Sequence, residues 1–446
     1  MNQRMTKPHS RVLFYSLLAV LLGLCFIRNA LQVNIPSQLL LAVALLMALL
    51  GDRDELIALC LCCIPLHTSL NAAYVLLFAL LMCLVKFSGT IRFNLTIVPV
   101  LLMLLWELVH SFGEPFSPVS FVGISMPLLL LAVVMCCRKG LDYDFLVRTL
   151  AVSIAAMCLS LLGRLVYLSN FNLAIALEGL RRLGLDSEET QGTLAVTDGQ
   201  LNPNTLGILC VLAITGLMQL RNSGRSKGGD GALILFLLVF GALTSSRTYL
   251  ACLAIMVVLL ILAQKGTASD KFKLIGSLLL VLLAALLVLY LFFPELLEFY
   301  YRRFLAEDIT TGRADLMTVY HDFIVSDPKI LLFGVGLMGF EQKVLEVYRV
   351  SALVPHNGIQ ELVIAWGIPG LLMFAMLWIA MILRGRELAR KQTLLHFIPL
   401  LVLLAKVQVG QMLNSSYTMM AFTYAFLSLS ADITPGTYIP KQKKAT

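Results

Sequence analysis

The chain has 446 residues, of which 59% are hydrophobic and only 13% charged, with a mean hydropathy of +0.88. A soluble chain of this length cannot hide that much apolar surface, so a water-soluble globular fold is excluded and the surrounding solvent is lipid. The formal net charge of +8 then speaks to membrane topology and not to nucleic acid.

The opening stretch MNQRMTKPHSRVLFYSLLAVLLGLCFIRNA has the basic start and apolar run of a signal peptide. It lacks a convincing small-x-small cleavage site and is read as an uncleaved first helix. Apolar runs between polar breaks predict further spans near 36–50, 55–66, 71–86, 94–109, 119–136, 145–168, 203–220, 231–244, 248–263, 273–293, 358–383, 393–412 and 416–430, after a first near 12–27. The second and third are short, so the fold class is an all-α polytopic transmembrane bundle of 12–14 helices with a helical extracytoplasmic loop domain. The ten cysteines all lie in or beside apolar runs, where cysteine behaves as a small hydrophobe. Cys60 and Cys63 have metal-like spacing but no second ligand pair, so neither a metal site nor a disulfide framework is expected.

Arg4, Lys7 and Arg11, then Arg221, Arg225 and Lys227, then Lys265, Lys271 and Lys273, then Arg384, Arg386, Arg390 and Lys391, and finally Lys441, Lys443 and Lys444 fall on one side of this arrangement. By the positive-inside rule that side, with both termini, is cytoplasmic. Two Asp-x-Asp pairs, Asp52/Asp54 and Asp142/Asp144, fall there too, away from an outer-face reaction.

Four regions follow: N-terminal helices with an outer amphipathic loop over 1–200, helices carrying Asn202, Asn204 and Arg247 over 201–293, an extracytoplasmic loop over 294–357, and C-terminal helices with a short cytoplasmic tail over 358–446. In the first loop FNLAIALEGLRRLGL reads as an interfacial amphipathic helix with Arg181 and Arg182 at headgroup level. The larger loop holds TGRADLMTVYHDFIVSDP, a helix signal with Thr311 as cap, Leu316, Tyr320 and Phe323 on one face, and Pro328 after its end.

Polar groups gather on the outer side. Asn202 and Asn204 stand at a helix mouth in LNPNTLGIL, as caps or ligand contacts. Arg247, in the tight turn of GALTSSRTYLACL, lies at the membrane boundary, where arginine either snorkels or serves a function. Arg313 opens the loop helix, where a cation opposes the macrodipole by about 0.3–1 kcal/mol unless an anion docks there. Gly334 and Gly336 in LLFGVGLMGF let backbone approach closely, and His356 and Asn357 precede the span that contains GIPG.

The order N-P-N, S-R-T, T-G-R, G-V-G, P-H-N and then G-I-P-G, over roughly residues 200–380, resembles the O-antigen ligase and O-antigen polymerase superfamily of bacterial membrane glycosyltransferases. The resemblance implies transfer of a glycan from an undecaprenyl-diphosphate carrier to an acceptor hydroxyl, on a glycan or lipid, outside the bacterial cytoplasmic membrane. It implies Arg247 and Arg313 neutralising the diphosphate leaving group, His356 activating or orienting the acceptor, and inversion at the anomeric carbon. Asn202, Asn204, Gly334, Gly336 and Asn357 would bind substrate. No metal or cofactor and no nucleic acid enters, and the partners are the lipid-linked glycan, its acceptor and membrane lipids. Ligase and polymerase share this chemistry, with ligase preferred for the single P-H-N histidine and two upstream arginines. The rival reading is a transporter or flippase, which would line a path with Glu107, Arg164, Lys406, Gln408 and Gln411. No internal repeat favours it.

Overall fold

The computed structural model describes residues 8–67, 70, 72–112, 118–137, 140–178, 182–184, 201–263, scattered positions over 267–291, 294–302, 313–337, 355–389, 391–410, 412–413 and 416–433. In chain order the α-helices are α1 (Pro8–Ala30), α2 (Ser37–Leu50), α3 (Arg53–Cys62), α4 (Ala72–Phe87), α5 (Val98–Ser111), α6 (Pro118–Met135), α7 (Tyr143–Leu168), α8 (Leu173–Glu178), α9 (Pro203–Asn222), α10 (Asp230–Leu243), α11 (Arg247–Ala263), α12 (Pro294–Tyr301), α13 (Arg313–Ser326), α14 (Pro328–Phe333), α15 (Gly358–Leu388), α16 (Leu394–Gln408) and α17 (Ser416–Ser430). The molecule is a helical polytopic membrane protein. Among the described residues five helices are long and apolar enough to cross a membrane, centred on α1, α4, α7, α9 and α15. Shorter apolar helices fill the spaces between them.

The core lies where α7, α9, α16 and α17 meet, with Leu146, Leu206, Leu403 and Phe422 fully enclosed. Large apolar side chains such as Leu46, Leu105, Val239 and Leu372 stay exposed on the periphery. That is the inverse of a soluble surface and fits contact with acyl chains. The short third span is explained by burial. Ten residues at about 1.5 Å each reach only half of a ~30 Å hydrocarbon layer, but α3 is buried from Asp54 to Cys62 and offers lipid no unpaired backbone. Its start is fixed by a capping box, with Asp52 and Glu55 exchanging side-chain and backbone bonds at 2.9 Å.

One end of the bundle is stitched by ion pairs. Arg11 lies 3.7 Å from Asp54 and 3.5 Å from Asp142, Arg225 pairs with Asp144 at 2.7 Å, and Arg148 grips Asp230 through two bonds of 3.1 and 3.0 Å. Asp142 also caps α7 through Phe145 N–H, and its own N–H donates to Asp54 Oδ2 at 3.1 Å. Both Asp-x-Asp pairs are therefore used by helix caps and arginines. Asn202, Arg247 and His356 all begin helices at the opposite end. Lys406 lies in the last turn of its helix, and Glu107 and Arg164 each lie four residues before the end of theirs.

In the first outer loop a helix is described over Leu173–Glu178, and Arg182, expected among the headgroups, is 7% exposed and donates to Asn204 at the start of α9. Arg181 and the cap Thr311 lie outside the described residues.

Candidate functional site

Arg247 is the first residue of α11, and the turn before it is rigid. Thr244, Ser245 and Ser246 are buried, with Ser245 at φ 49°. The anchor is Tyr249, 1% exposed, whose ring occupies space left by Gly207 on α9 and Gly241 on α10. A Cβ on Gly241 would stand 2.4 Å from that ring, and one on Gly207 2.7 Å from Tyr249 Cβ. Tyr249 Oη donates to Leu238 O at 3.0 Å, closing the α10–α11 corner. Asn202 is the N-cap of α9, accepting from Asn204 N–H at 2.9 Å. Asn204 is no cap: its Oδ1 accepts from Ser246 Oγ at 2.8 Å and Arg182 Nη2 at 3.3 Å. The N-P-N and S-R-T motifs thus meet in space through Asn204 and Ser246.

His356 is half-buried at the residue before the N-cap of α15. Asn357 uses its whole carboxamide for structure: Oδ1 accepts from Ile359 and Gln360 N–H at 2.9 and 3.1 Å, and Nδ2 donates to Gln408 O at 3.3 Å. Below it Glu361, fully buried, accepts from Met412 and Leu413 N–H at 2.5 and 3.1 Å, holding the α16–α17 connection against α15. Lys406 in the last turn of α16 donates to Thr418 Oγ1. These two residues, with Thr205, Leu403 and Tyr417, line a cavity of about 10 Å³, room for roughly one water. Because Thr205 follows Asn204, this cavity lies between the start of α9 and the facing ends of α16 and α17.

The loop helix α13 brings Arg313 alongside. Tyr320, Phe323 and Ile324 of α13 bury with Ile330 of α14 against Val363 and Ile364 of α15. Gln360 Nε2 donates to Met317 O at 2.9 Å. Met317 lies four residues after Arg313, and Gln360 four after His356. The side chain of Arg313 itself lies outside what the structure describes.

After α14 the chain docks against a break in α15. Gly367 has φ 66° and ψ −161°, and Pro369 has no N–H, so the carbonyls of the preceding turn lose their helical partners. The G-V-G segment supplies replacements: Val335 N–H donates to Ile364 O and Gly336 N–H to Ala365 O, both at 2.8 Å. Trp106 Nε1 donates to Trp366 O at 3.2 Å. Gly334, at φ 77°, is packed so closely that a Cβ would meet Ala365 O at 2.3 Å. The two glycine motifs, G-V-G and G-I-P-G, are thus two sides of one joint, and the close approach that Gly334 permits is to α15. Gly336 faces His110, 3.0 Å from where its Cβ would be.

The joint is clasped by α5 of the N-terminal region. Glu107, 1% exposed, accepts from Trp366 Nε1 at 2.6 Å and from Leu337 N–H on both oxygens at 3.2 Å. His110 Nε2 lies 3.0 Å from Phe333 O. The signal for Glu107 was present, since an acid inside an apolar run is costly unless it serves a role, but its partners lie some 230 and 259 residues away.

The structure therefore brings Asn202, Asn204, Arg247, the start of α13, Gly334, Gly336, His356 and Asn357 to one end of the bundle. Residues 232–375 match the family model described as O-Antigen ligase. The matched segment runs from α10 through Arg247, α13 and the G-V-G joint to His356 and the G-I-P-G break, and over that segment the chain is similar to the O-antigen ligase family. Asn202, Asn204, Arg182 and the α5 clasp lie outside it. No curated protein matches the chain.

Proposed function

We propose that the chain is an O-antigen ligase-type glycosyltransferase that moves a glycan from an undecaprenyl-diphosphate carrier to an acceptor hydroxyl at the outer face of the bacterial cytoplasmic membrane. The reading is supported by the family match over residues 232–375 and by the contact of α13 with α15, in which Gln360, four residues after His356, meets Met317, four residues after Arg313.

In the reaction the acceptor oxygen forms a bond to the anomeric carbon, and the bond from that carbon to the phosphate oxygen breaks. The leaving diphosphate keeps the electron pair, and the acceptor proton passes to His356 or is held by it as the hydroxyl is oriented. Charge grows on the diphosphate as the bond breaks, so guanidinium groups at Arg247 and Arg313 lower the barrier by electrostatic stabilisation. A single displacement from the opposite face inverts the anomeric configuration. Metal independence is supported by where the Asp-x-Asp pairs sit, at the other end of the bundle and engaged by Arg11, Arg53 and Arg225. A repeat-unit polymerase would use the same chemistry with a second lipid-linked glycan as acceptor.

Reconstitution of the purified chain with a lipid-linked glycan and candidate acceptors tests the reading, with and without a chelator. Free undecaprenyl diphosphate and a covalently extended acceptor are expected in both conditions. Movement of intact donor across the bilayer with no free undecaprenyl diphosphate would replace the transferase with a transporter.

A further inference from the structure

Glu361 is a buried acid that no step of the transfer uses, and it lies one helical turn into α15. Its N–H donates to Asn357 O at 3.0 Å, so the two residues share one face of the first turn. That face is fastened twice to the end of α16 and the chain that follows it. Asn357 Nδ2 donates to Gln408 O at 3.3 Å, and Glu361 Oε2 accepts from both Met412 and Leu413 N–H, at 2.5 and 3.1 Å. Gly358 lies between the two fastenings, where a Cβ would stand 2.7 Å from Val407 Cγ1 and 2.9 Å from Met412 Cβ. The first turn of α15 is thus inset tightly into the corner between α16 and α17, and His356 is the residue just before its cap.

A neutral amide or carbonyl could satisfy those two N–H groups, and a carboxylate in an apolar helix carries a desolvation cost that neither would. What the charge adds is stiffness, because charge-assisted hydrogen bonds are shorter and roughly twice as strong as neutral ones. The charge is offset close by. The Lys406 ammonium attracts Glu361 electrostatically and donates to Thr418 Oγ1 in the first turn of α17. Glu361, Lys406 and Thr418 are each at most 9% exposed, so bulk water does not screen these contacts. One buried pair therefore holds the ends of three helices in a single arrangement beside His356.

We propose that Glu361, backed by Lys406, is a positioning residue that sets His356 against the acceptor hydroxyl by tying the first turn of α15 to the α16–α17 corner; this rests on the transferase reading above. Glu361 touches no substrate and takes no proton. It acts through the backbone between Asn357 and His356. With the tie cut, the Met412 and Leu413 N–H groups lose their acceptor, the corner relaxes, and His356 spends time away from the reacting oxygen. Lys406 and the corner itself lie outside residues 232–375, so the family match assigns them no part.

The test is a double-mutant cycle on the full-length reconstituted chain, read as undecaprenyl diphosphate release per folded molecule. Glu361→Ala should cut kcat about 10- to 100-fold, as misplacement by about 1 Å does, with the donor KM within about 3-fold of wild type. In a His356→Asn background the same change should cost less than about 2-fold, because a residue that acts through His356 has nothing left to position. Glu361→Gln keeps an amide oxygen in place of Oε2 and should recover most of the loss. If Glu361→Ala does not fold, Gly358→Ala carries the same cycle, since it keeps every hydrogen-bonding group and pushes the first turn off Val407 and Met412. A second readout needs no turnover: with the six histidines carbon-labelled at Cε1, Glu361→Ala should shift and broaden the His356 resonance and leave that of His321 in place. Wild-type kcat in Glu361→Ala, equal proportional losses in the two backgrounds, or an unmoved His356 resonance overturns the positioning role. Should the resonance move as expected in a chain whose wild type transfers no glycan, the tie to His356 stands and the transferase reading fails. Transfer by wild type, with Glu361→Ala altering neither kcat nor the resonance, sinks the tie and leaves the transferase reading in place.

Discussion

Gly334→Ala probes the joint between the G-V-G segment and α15. Gly334 has φ 77° and ψ −175°, a region almost closed to residues with a Cβ, and forcing one there costs about 1–3 kcal/mol. The new methyl would stand 2.3 Å from Ala365 O, 2.5 Å from Ala365 C and 2.5 Å from Trp366 N, all backbone atoms that no rotamer change can move. The segment must therefore retreat by about 1 Å, which lengthens the 2.8 Å bonds from Val335 N–H and Gly336 N–H beyond hydrogen-bonding range. Two such bonds contribute about 0.5–1.5 kcal/mol each, so the total is roughly 2–6 kcal/mol. That is a large part of a typical stability of about 5–15 kcal/mol, so undocking of the loop is the favoured response. Detergent-solubilised Gly334→Ala should show a clearly lower Tm and lose most glycan transfer. Gly89→Ala and Gly228→Ala are matched controls, because a Cβ there meets nothing within 4 Å. A Gly334→Ala protein with wild-type Tm and turnover would refute both the contact geometry and the importance of the joint.

Glu107→Ala leaves the buried donors Trp366 Nε1 and Leu337 N–H without acceptors, at about 1–3 kcal/mol each, and should lower Tm and transfer together. Glu107→Gln keeps one acceptor oxygen and should fall between, as melting curves and initial rates of the series will read. Arg148→Ala strips the partner from Asp230 and should destabilise by about 3–5 kcal/mol. Because that pair sits at the opposite end, the folded fraction should retain its specific activity, and a selective loss of turnover would contradict the division of the two ends. His356→Asn should cut transfer by about 10²–10⁴-fold with donor binding retained; undiminished transfer in a purified system would remove His356 from the chemistry. Arg313→Lys keeps the charge without the planar fork and should lose most activity, whereas full turnover would make Arg313 an idle surface residue.

By itself the sequence determined what can be read from one chain segment at a time. Hydropathy alone identified a lipid-embedded α-helical chain, because in hydrocarbon every backbone group must be satisfied within its own helix. The tight turn before Arg247, the loop helix with Tyr320 and Phe323 on its buried face, and the asparagine caps at Asn202 and Asn357 were legible because turns, amphipathic faces and caps are local physics. Tertiary structure decided everything that depends on which helix end meets which. Arg182 read as an interfacial cation because its own neighbours are amphipathic, and only contact with Asn204, 22 residues on, turned it inward. Glu107 read as an isolated charge because its partners belong to the loop and to α15. G-V-G read as part of the outer loop and G-I-P-G as part of a span, although carbonyls freed by Pro369 and Gly367 in one are what the N–H groups of the other satisfy. Hydrophobic pattern specifies that a helix is buried in the bundle, but an apolar face packs against many partners equally well. The few directional bonds between distant polar groups select one packing from among them, and those pairings leave no periodic trace in the chain.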